Sequence, residues 1–243
     1  YENPRDPWES MNRSTFSFNE NVDELVLKPV AKGYEQIPSP IRTGVGNFFG
    51  NVADVWIGAN NLLQGKPTHA VSDIGRVLIN STVGVLGLFD VASDMGLEKH
   101  EEDFGQTLGK WGVSPGPYLV VPLFGPKTLR DAAGTVVDFK ADLINQVDPI
   151  STKNTLYGTR VIQDRSTLLP MEKAIEDASL DKYSYIRDAY LQRRAYLIRD
   201  GETAPKEEID DEYRNAESLK ISDIPEKNNE DQIIEKKLED QNP

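Results

Sequence analysis

His69 and His100 are the only imidazoles in the chain, and there is no cysteine at all. Thiolate metal sites, disulfides and cysteine nucleophiles are therefore excluded. His100-Glu101-Glu102-Asp103 is rich in groups able to ligate a metal. Four consecutive residues cannot all face one ion on a regular element, and metal sites usually draw ligands from separate elements. The run reads instead as a solvated polar turn. A serine hydrolase needs its nucleophile on a strained elbow such as G-x-S-x-G, and that motif is absent. Two phosphate-loop look-alikes also fail. Gly65-Lys66 is followed by Pro67, and Asn60 stands where the loop needs its first glycine. Gly44-Val45-Gly46 runs on to Phe49 where a dinucleotide fingerprint needs glycine. No catalytic residue, metal or cofactor is expected.

Charge narrows the partners. The net charge is −13, unevenly spread. Residues 202–243 hold 14 acidic and 6 basic residues, a net −8, which leaves −5 for residues 1–201. Without a stripe of Lys and Arg to neutralise phosphates, nucleic acid is a poor partner. The longest uncharged apolar stretch, residues 77–89, is interrupted by Asn80, Ser81 and Thr82. It is too short for a spanning helix and suits a buried, re-entrant or interfacial segment. The chain starts at Tyr1 without a leader, and is expected to be a processed form.

The elements follow from periodicity. Trp8, Met11, Thr15, Phe18, Val22 and Leu25 form one helical stripe, opened by Asp6-Pro7 and ended or kinked at Pro29. Val30, Tyr34 and Ile37 make a short second pattern before Pro38-Ser39-Pro40. In the next helix Phe48, Phe49, Val52, Val55, Trp56, Ala59, Leu62 and Leu63 share a face, with Asn47, Asn51, Asp54 and Asn61 expected to point away from it. Gly46-x-x-x-Gly50 lies at the expected mouth of this helix. Pro67 opens another helix, with Ala70, Val71, Ile74, Val77 and Leu78 on its apolar side. Residues 83–92 are apolar almost all round and need cover from protein or lipid.

Five Gly and four Pro between residues 105 and 126 then argue against a regular helix and for a constrained loop or short hairpin. Thr128-Leu129-Arg130-Asp131 reads as a capping box opening a helix that Asp148-Pro149 stops. Residues 155–169 form a further helix, and residues 171–200 a long last one, with Arg187, Arg193, Arg194 and Arg199 grouped on its polar side. There this cluster and the acidic tail could receive an envelope partner. The tail itself reads as disordered. At least five helices are strongly amphipathic, so the set could close into a bundle or rest its outer face in a bilayer interface.

Residues 103–131 tip that choice. Asp103-Phe104-Gly105-Gln106-Thr107-Leu108-Gly109, Trp111-Gly112-Val113, Gly116-Pro117-Tyr118, residues 119–122 and Gly125-Pro126-x-Thr128-Leu129-Arg130-Asp131 closely resemble the signature of the MlaA (VacJ) family. Asp6-Pro7-Trp8-Glu9-x-x-Asn12-Arg13 and Phe16-x-Phe18-Asn19 resemble its opening. Leu27-Lys28-Pro29-Val30-Ala31, Gly44-x-x-Asn47-Phe48, Asn61-x-Leu63-Gln64-Gly65, Arg76-x-x-x-Asn80-Ser81-Thr82 and Gly87-x-Phe89-Asp90-Val91-Ala92 follow in order. The likeness spans roughly residues 4–200.

The resemblance implies an all-α fold: a ring-shaped bundle of amphipathic helices in the inner leaflet of the outer membrane of a diderm bacterium, with a central amphipathic channel. It implies a non-enzymatic role in lipid asymmetry. Misplaced outer-leaflet phospholipid would pass to a soluble periplasmic lipid carrier (MlaC-like), with a trimeric porin at the side. Anchorage through a lipidated N-terminal Cys is implied too, and that residue is absent from this chain. The channel loop is expected at Gly112, Pro115, Gly116, Pro117 and Tyr118. Interfacial membrane contacts are expected from Trp8, Phe48, Phe49, Trp56 and Trp111. Two other readings are a porin-associated envelope scaffold and a peripheral phospholipase. Residues 1–201 form the expected lipid-transport domain and 202–243 its acidic tail.

Overall fold

The structure, a computed structural model, describes residues 3–202. The acidic tail, from residue 203 on, lies outside the described residues. The described residues are mostly helical, with one small hairpin. Helix α1 (Glu9–Val22) widens into a π turn (Asp23–Leu27) and continues as α2 (Lys28–Tyr34). Pro29 has no N–H for the helical ladder, and the wider turn just before it keeps the chain helical: the Lys28 N–H reaches Asp23. The Asp6 carboxylate does not cap α1, whose N-cap is Trp8 without a side-chain bond. It is instead buried in the interior.

Helices α3 (Ser39–Leu63) and α4 (Pro67–Thr82) form a hairpin around Gly65, which sits at φ 77°. Pro40 and Pro67 lie in their first turns, where a missing N–H costs nothing. Gly46 and Gly50 fall inside α3 rather than at its mouth; they face the side chains of Gln163 and Lys99. The apolar stretch after α4 is not helical. It folds back as turns into the short α5 (Val91–Asp94), capped by Asp90.

The Gly/Pro-rich block divides. Residues Phe104–Lys110 are helical after all (α6), because Asp103 caps them by accepting the Gln106 N–H. A loop follows, then β1 (Tyr118–Val121) pairs antiparallel with β2 (Gly125–Thr128), Tyr118 opposite Thr128. Thr128 caps α7 (Leu129–Ala141) by accepting the Asp131 N–H, as the capping box requires. This helix ends at Asp142, not at Pro149; a 3-10 turn (Leu143–Gln146) fills the interval. Helix α8 (Ile150–Ala178) then runs straight through Pro170, and α9 (Lys182–Ile198) starts at the Asp181 cap. The expected break at Pro170 therefore moves to residues 179–181. A proline removes one ladder bond, whereas the cap supplies a new start.

The elements contact one another in a circuit. α3 packs on α6 and α8, α8 on α2, α1 on β1, the hairpin on α7 and α9, and α6 on α7 and α9. A small aromatic core holds the hairpin: Tyr118, Val120 and Tyr183 are buried, with Phe16, Tyr190 and Leu191 against them. The tightest crossing is α6 on α7, where a Cβ on Gly134 would lie 2.6 Å from the Gly105 backbone nitrogen. Gly→Ala inside an exposed helix ordinarily stabilises. Here G134A should instead lower stability by about 1–3 kcal/mol through overpacking, read as a lower urea midpoint.

Candidate functional site

The interior is mostly polar, and many large apolar side chains are exposed. Among the described residues eighteen buried side chains are polar or charged and nine are hydrophobic, the reverse of a water-soluble core. The inversion runs helix by helix. In α1, Asn12 is fully buried while Met11, Phe18 and the flanking Trp8 are exposed. In α3, Asn51, Asp54, Asn60 and Asn61 are buried and Val55, Leu62 and Leu63 are exposed. Helix α4 buries Asp73, Arg76 and Asn80 and exposes Val71, Ile74 and Leu78. In α7, Arg130 and Asp131 are inside, with Val136 and Phe139 outside. The periodicity is as expected, but Asn51, Asp54 and Asn61 of α3 point in, not away, and Asn47 is half-buried.

Three polar knots occupy this interior. The first joins α6, α7 and α9. Arg194 donates to both oxygens of Asp103 at 2.6 and 2.9 Å and to both oxygens of Asp131 at 3.0 Å. The Tyr190 hydroxyl donates to Asp131 at 2.7 Å, and Arg130 approaches the same carboxylate at 3.0 Å. Burial alone would raise Asp131, but Arg194 outweighs it and holds the carboxyl down to about 2. Asp103 is lowered too: burial opposes, and the bonds and charge of Arg194 prevail.

The second knot ties the N-terminus to the hairpin. Asn12 donates to Asp6 at 2.7 Å and to the Tyr118 carbonyl at 3.1 Å, and accepts the Val120 N–H at 2.8 Å. Two turns on, Asn19 donates to the Val121 carbonyl and accepts from the Leu123 N–H. Asp6 also accepts from Tyr183 and from Arg187.

The third knot lies between α3 and α4. Arg76 reaches Asp54 at 3.2 Å and both oxygens of Asp90 at 2.9 Å. Lys99 adds a bond to Asp54 at 2.8 Å. Asp73 receives Asn61 at 2.7 Å and lies 2.8 Å from His100, whose ring stacks on His69.

The exposed loop, residues 112–117, hangs over the first knot. Gly112 takes φ 88° and Gly116 φ 65°, both left-handed. Arg130 pins the loop from beneath, donating from its side chain to the Val113 carbonyl at 3.2 Å and from its backbone to Pro115 at 3.1 Å. Leu129 N–H donates to the Pro117 carbonyl. Of the expected loop residues, Gly112, Pro115 and Gly116 are exposed and Pro117 partly so. Tyr118 is buried in the aromatic core and anchors the loop's C-terminal end. Trp111, beside the loop, is exposed with its indole N–H on the Leu63 carbonyl. Trp8 is exposed and Phe48 half-buried. Trp56 is half-buried and donates to Asp138 at 2.8 Å. Phe49 is buried against Phe48.

The acidic run at His100 sends each side chain to a different partner: His100 to Asp73, Glu101 to Arg193, Glu102 to Lys66 and Asp103 to Arg194. Nor do the four arginines near the C-terminus form one surface. Arg187 and Arg194 are interior, and Arg193 is exposed. Asp6, Asn12, Asp54, Asp73, Arg76 and Tyr183 are interior residues that sequence reasoning passed over. The signal was there in α3: Asn47, Asn51, Asp54 and Asn61 recur at helical spacing as regularly as the apolar set.

A helical protein with charges inside and aliphatic side chains outside is a class built for an apolar surround, although no described helix is long and apolar enough to cross a membrane. Comparison with known proteins gives the family. Residues 4–197 match the MlaA lipoprotein family. "Intermembrane phospholipid transport system lipoprotein MlaA" of Escherichia coli (strain K12) is 36% identical over 209 residues, covering 83% of this chain and 82% of that protein. The protein of the same name from Haemophilus influenzae is 32% identical over 210 residues, covering 84% and 83%. A solved structure described as "Structural basis for maintenance of bacterial outer membrane lipid asymmetry" matches with a TM-score of 0.70 at 33% identity, covering 79% of this chain and 98% of that one. The chain belongs to the MlaA lipoprotein family.

Two carboxylates share one guanidinium here, so removing it leaves buried charge unpaired. R194Q should cost about 3–5 kcal/mol at neutral pH. Most of that falls on Asp131, since Asp103 is partly solvated. A lowered carboxyl stabilises the fold above its ordinary 3.8, and the gain is lost as pH falls through about 2. The gap between wild type and R194Q, measured by urea unfolding, should therefore narrow as the pH is taken from 7 toward 3.

Proposed function

We propose that this chain is a phospholipid conduit of a bacterial outer membrane. It takes misplaced phospholipid from the outer leaflet through an amphipathic channel within its ring of helices and delivers it to a soluble periplasmic lipid carrier, so that lipid asymmetry is kept. It sits in the inner leaflet, facing the periplasm, anchored through a lipidated N-terminal Cys and flanked by a trimeric porin. The observation that carries this reading is the exchanged polarity. A phospholipid pairs a charged head with two apolar tails, and an unsolvated charge in hydrocarbon costs several kcal/mol. A protein with polar groups inside and aliphatic groups outside can shelter the head while its outer wall is matched to acyl chains. The relatives named for intermembrane phospholipid transport support the same reading. So does the circuit of element contacts, the arrangement a ring requires.

In this reading the loop at Gly112, Pro115, Gly116 and Pro117 borders the passage. The glycines permit its turn, the prolines limit it, and Arg130 sets its resting position. Purified in mild detergent, the full chain should carry phospholipid detectable by mass spectrometry. A lipid-free protein that still binds porin would favour a scaffold, and release of fatty acid from phospholipid would favour a phospholipase. A disulfide engineered across residues 112–117 should stop lipid transfer to the carrier, with transfer restored by reductant. Undiminished transfer in the locked protein would count against the loop's role.

A further inference from the structure

The seven residues after α4, 83–89, combine two properties that water-facing loops do not share. Their side chains point outward: Val83 is 66% exposed, Leu86 71% and Phe89 63%, with Val85 and Leu88 also exposed. Meanwhile most of their amides are satisfied without solvent. Six of the seven amides donate internally: Val83 and Gly84 to Ile79, Leu86 to Ser81, Gly87 to Asn80, Leu88 to Val85 and Phe89 to Gly84. The Leu88 carbonyl accepts from Asn47 of α3, at 3.1 Å.

Closing the loop this tightly carries strain. Val85 and Leu86 sit at φ 52° and 59°, a region disfavoured for side-chain-bearing residues and most of all for β-branched ones. It also demands two glycines. A Cβ on Gly84 would lie 2.2 Å from the Phe89 oxygen, and one on Gly87 2.8 Å from Asn51. No residue from 77 to 89 is charged. The first charge beyond, Asp90, is turned in to Arg76, Asn80 and Ser93.

In water such an arrangement gains nothing, because solvent would satisfy open amides and aliphatic groups would be covered. In hydrocarbon it lowers the cost of an irregular backbone, because six of the seven amides are satisfied without water. We infer that residues 83–89 form a wedge inserted into the acyl-chain region of a lipid layer, the point at which this protein penetrates most deeply. Asn47, Asn51 and Asn80 form the polar base that holds the wedge shut. The inference rests on the membrane seat proposed above and says which segment enters.

The absence of cysteine makes single-site labelling unambiguous. L86C and F89C would each carry an environment-sensitive nitrobenzoxadiazole label on the full chain. E98C serves as the control: Glu98 packs beside Ser72, roughly 16 Å along α4 from the wedge. With phosphatidylethanolamine–phosphatidylglycerol vesicles, labels at 86 and 89 should shift to the blue and be quenched by doxyl groups on the acyl chains, and the label at 98 should do neither. F89E should weaken vesicle partitioning about tenfold with an unchanged circular dichroism spectrum. Labels at 86 and 89 as wet as that at 98, or partitioning of F89E equal to wild type, would overturn the wedge. So would shielding that appears only when a trimeric porin is added, without acyl-chain quenching, which would mark a protein wall as the occupant. Phospholipid retained by the wild type reports separately on the conduit, so either idea can fail while the other stands.

Discussion

The guanidinium of Arg194 meets two carboxylates from two different helices, and the rest of the molecule is arranged around that meeting. Asp103 caps α6 with its side chain, and Asp131 lies in the first turn of α7, where its backbone N–H donates to the Thr128 cap. A single cation from α9 then fixes both starts relative to one another. Because the α6–α7 crossing is glycine on glycine, the backbones come close enough for one side chain to span them. Ion pairs of this kind add little to stability over a well-packed apolar core. Their value here is that they can face inward at all. With Arg76 and Arg187 serving the other two knots, every inward-facing carboxylate described above has a partner, and the aliphatic faces are released to the outside.

Much of the architecture could be read from residue spacing. The stripe from Trp8 to Leu25, the α3–α4 hairpin with its flanking prolines, and the Thr128 cap all fall where periodicity and capping place them. What periodicity cannot tell is which stripe faces in. A helix with Asn51 and Asp54 on one side and Val55 and Leu62 on the other has the same moment in a soluble bundle and in a lipid-facing ring. The solvent decides, and the solvent is not written in a local pattern. The breaks were legible only in part for another reason. Pro29 and Pro170 are local signals of interruption, but a π turn and a long packed helix absorbed them. Asp181 is as plain a cap as any, and carried more weight than the proline eleven residues before it.

The block at residues 103–131 shows how function and support intermingle. As a resemblance it pointed to a loop beside a lipid passage. In three dimensions Gly105, Gln106, Thr107, Thr128, Arg130 and Asp131 are buried and serve as bracing. The stretch around Gly112 and Gly116 and the hairpin tip at Leu123 and Phe124 are open to the surroundings. Arg130 stiffens the 112–117 loop from below, gripping it with both side chain and backbone.

The link from Asp6 to Tyr183 and Arg187 joins the two ends of the helical unit across 177 and 181 residues of chain. Contacts of such sequence separation form late, because the loop between them must close before they repay it. Asp6 therefore lacks its Tyr183 and Arg187 partners until α9 arrives. A nascent or truncated chain lacking α9 would hold an N-terminal carboxylate with nowhere to be buried and a hairpin without its aromatic floor. Within the described residues the N-terminal carboxylate thus closes the unit against its most distant helix.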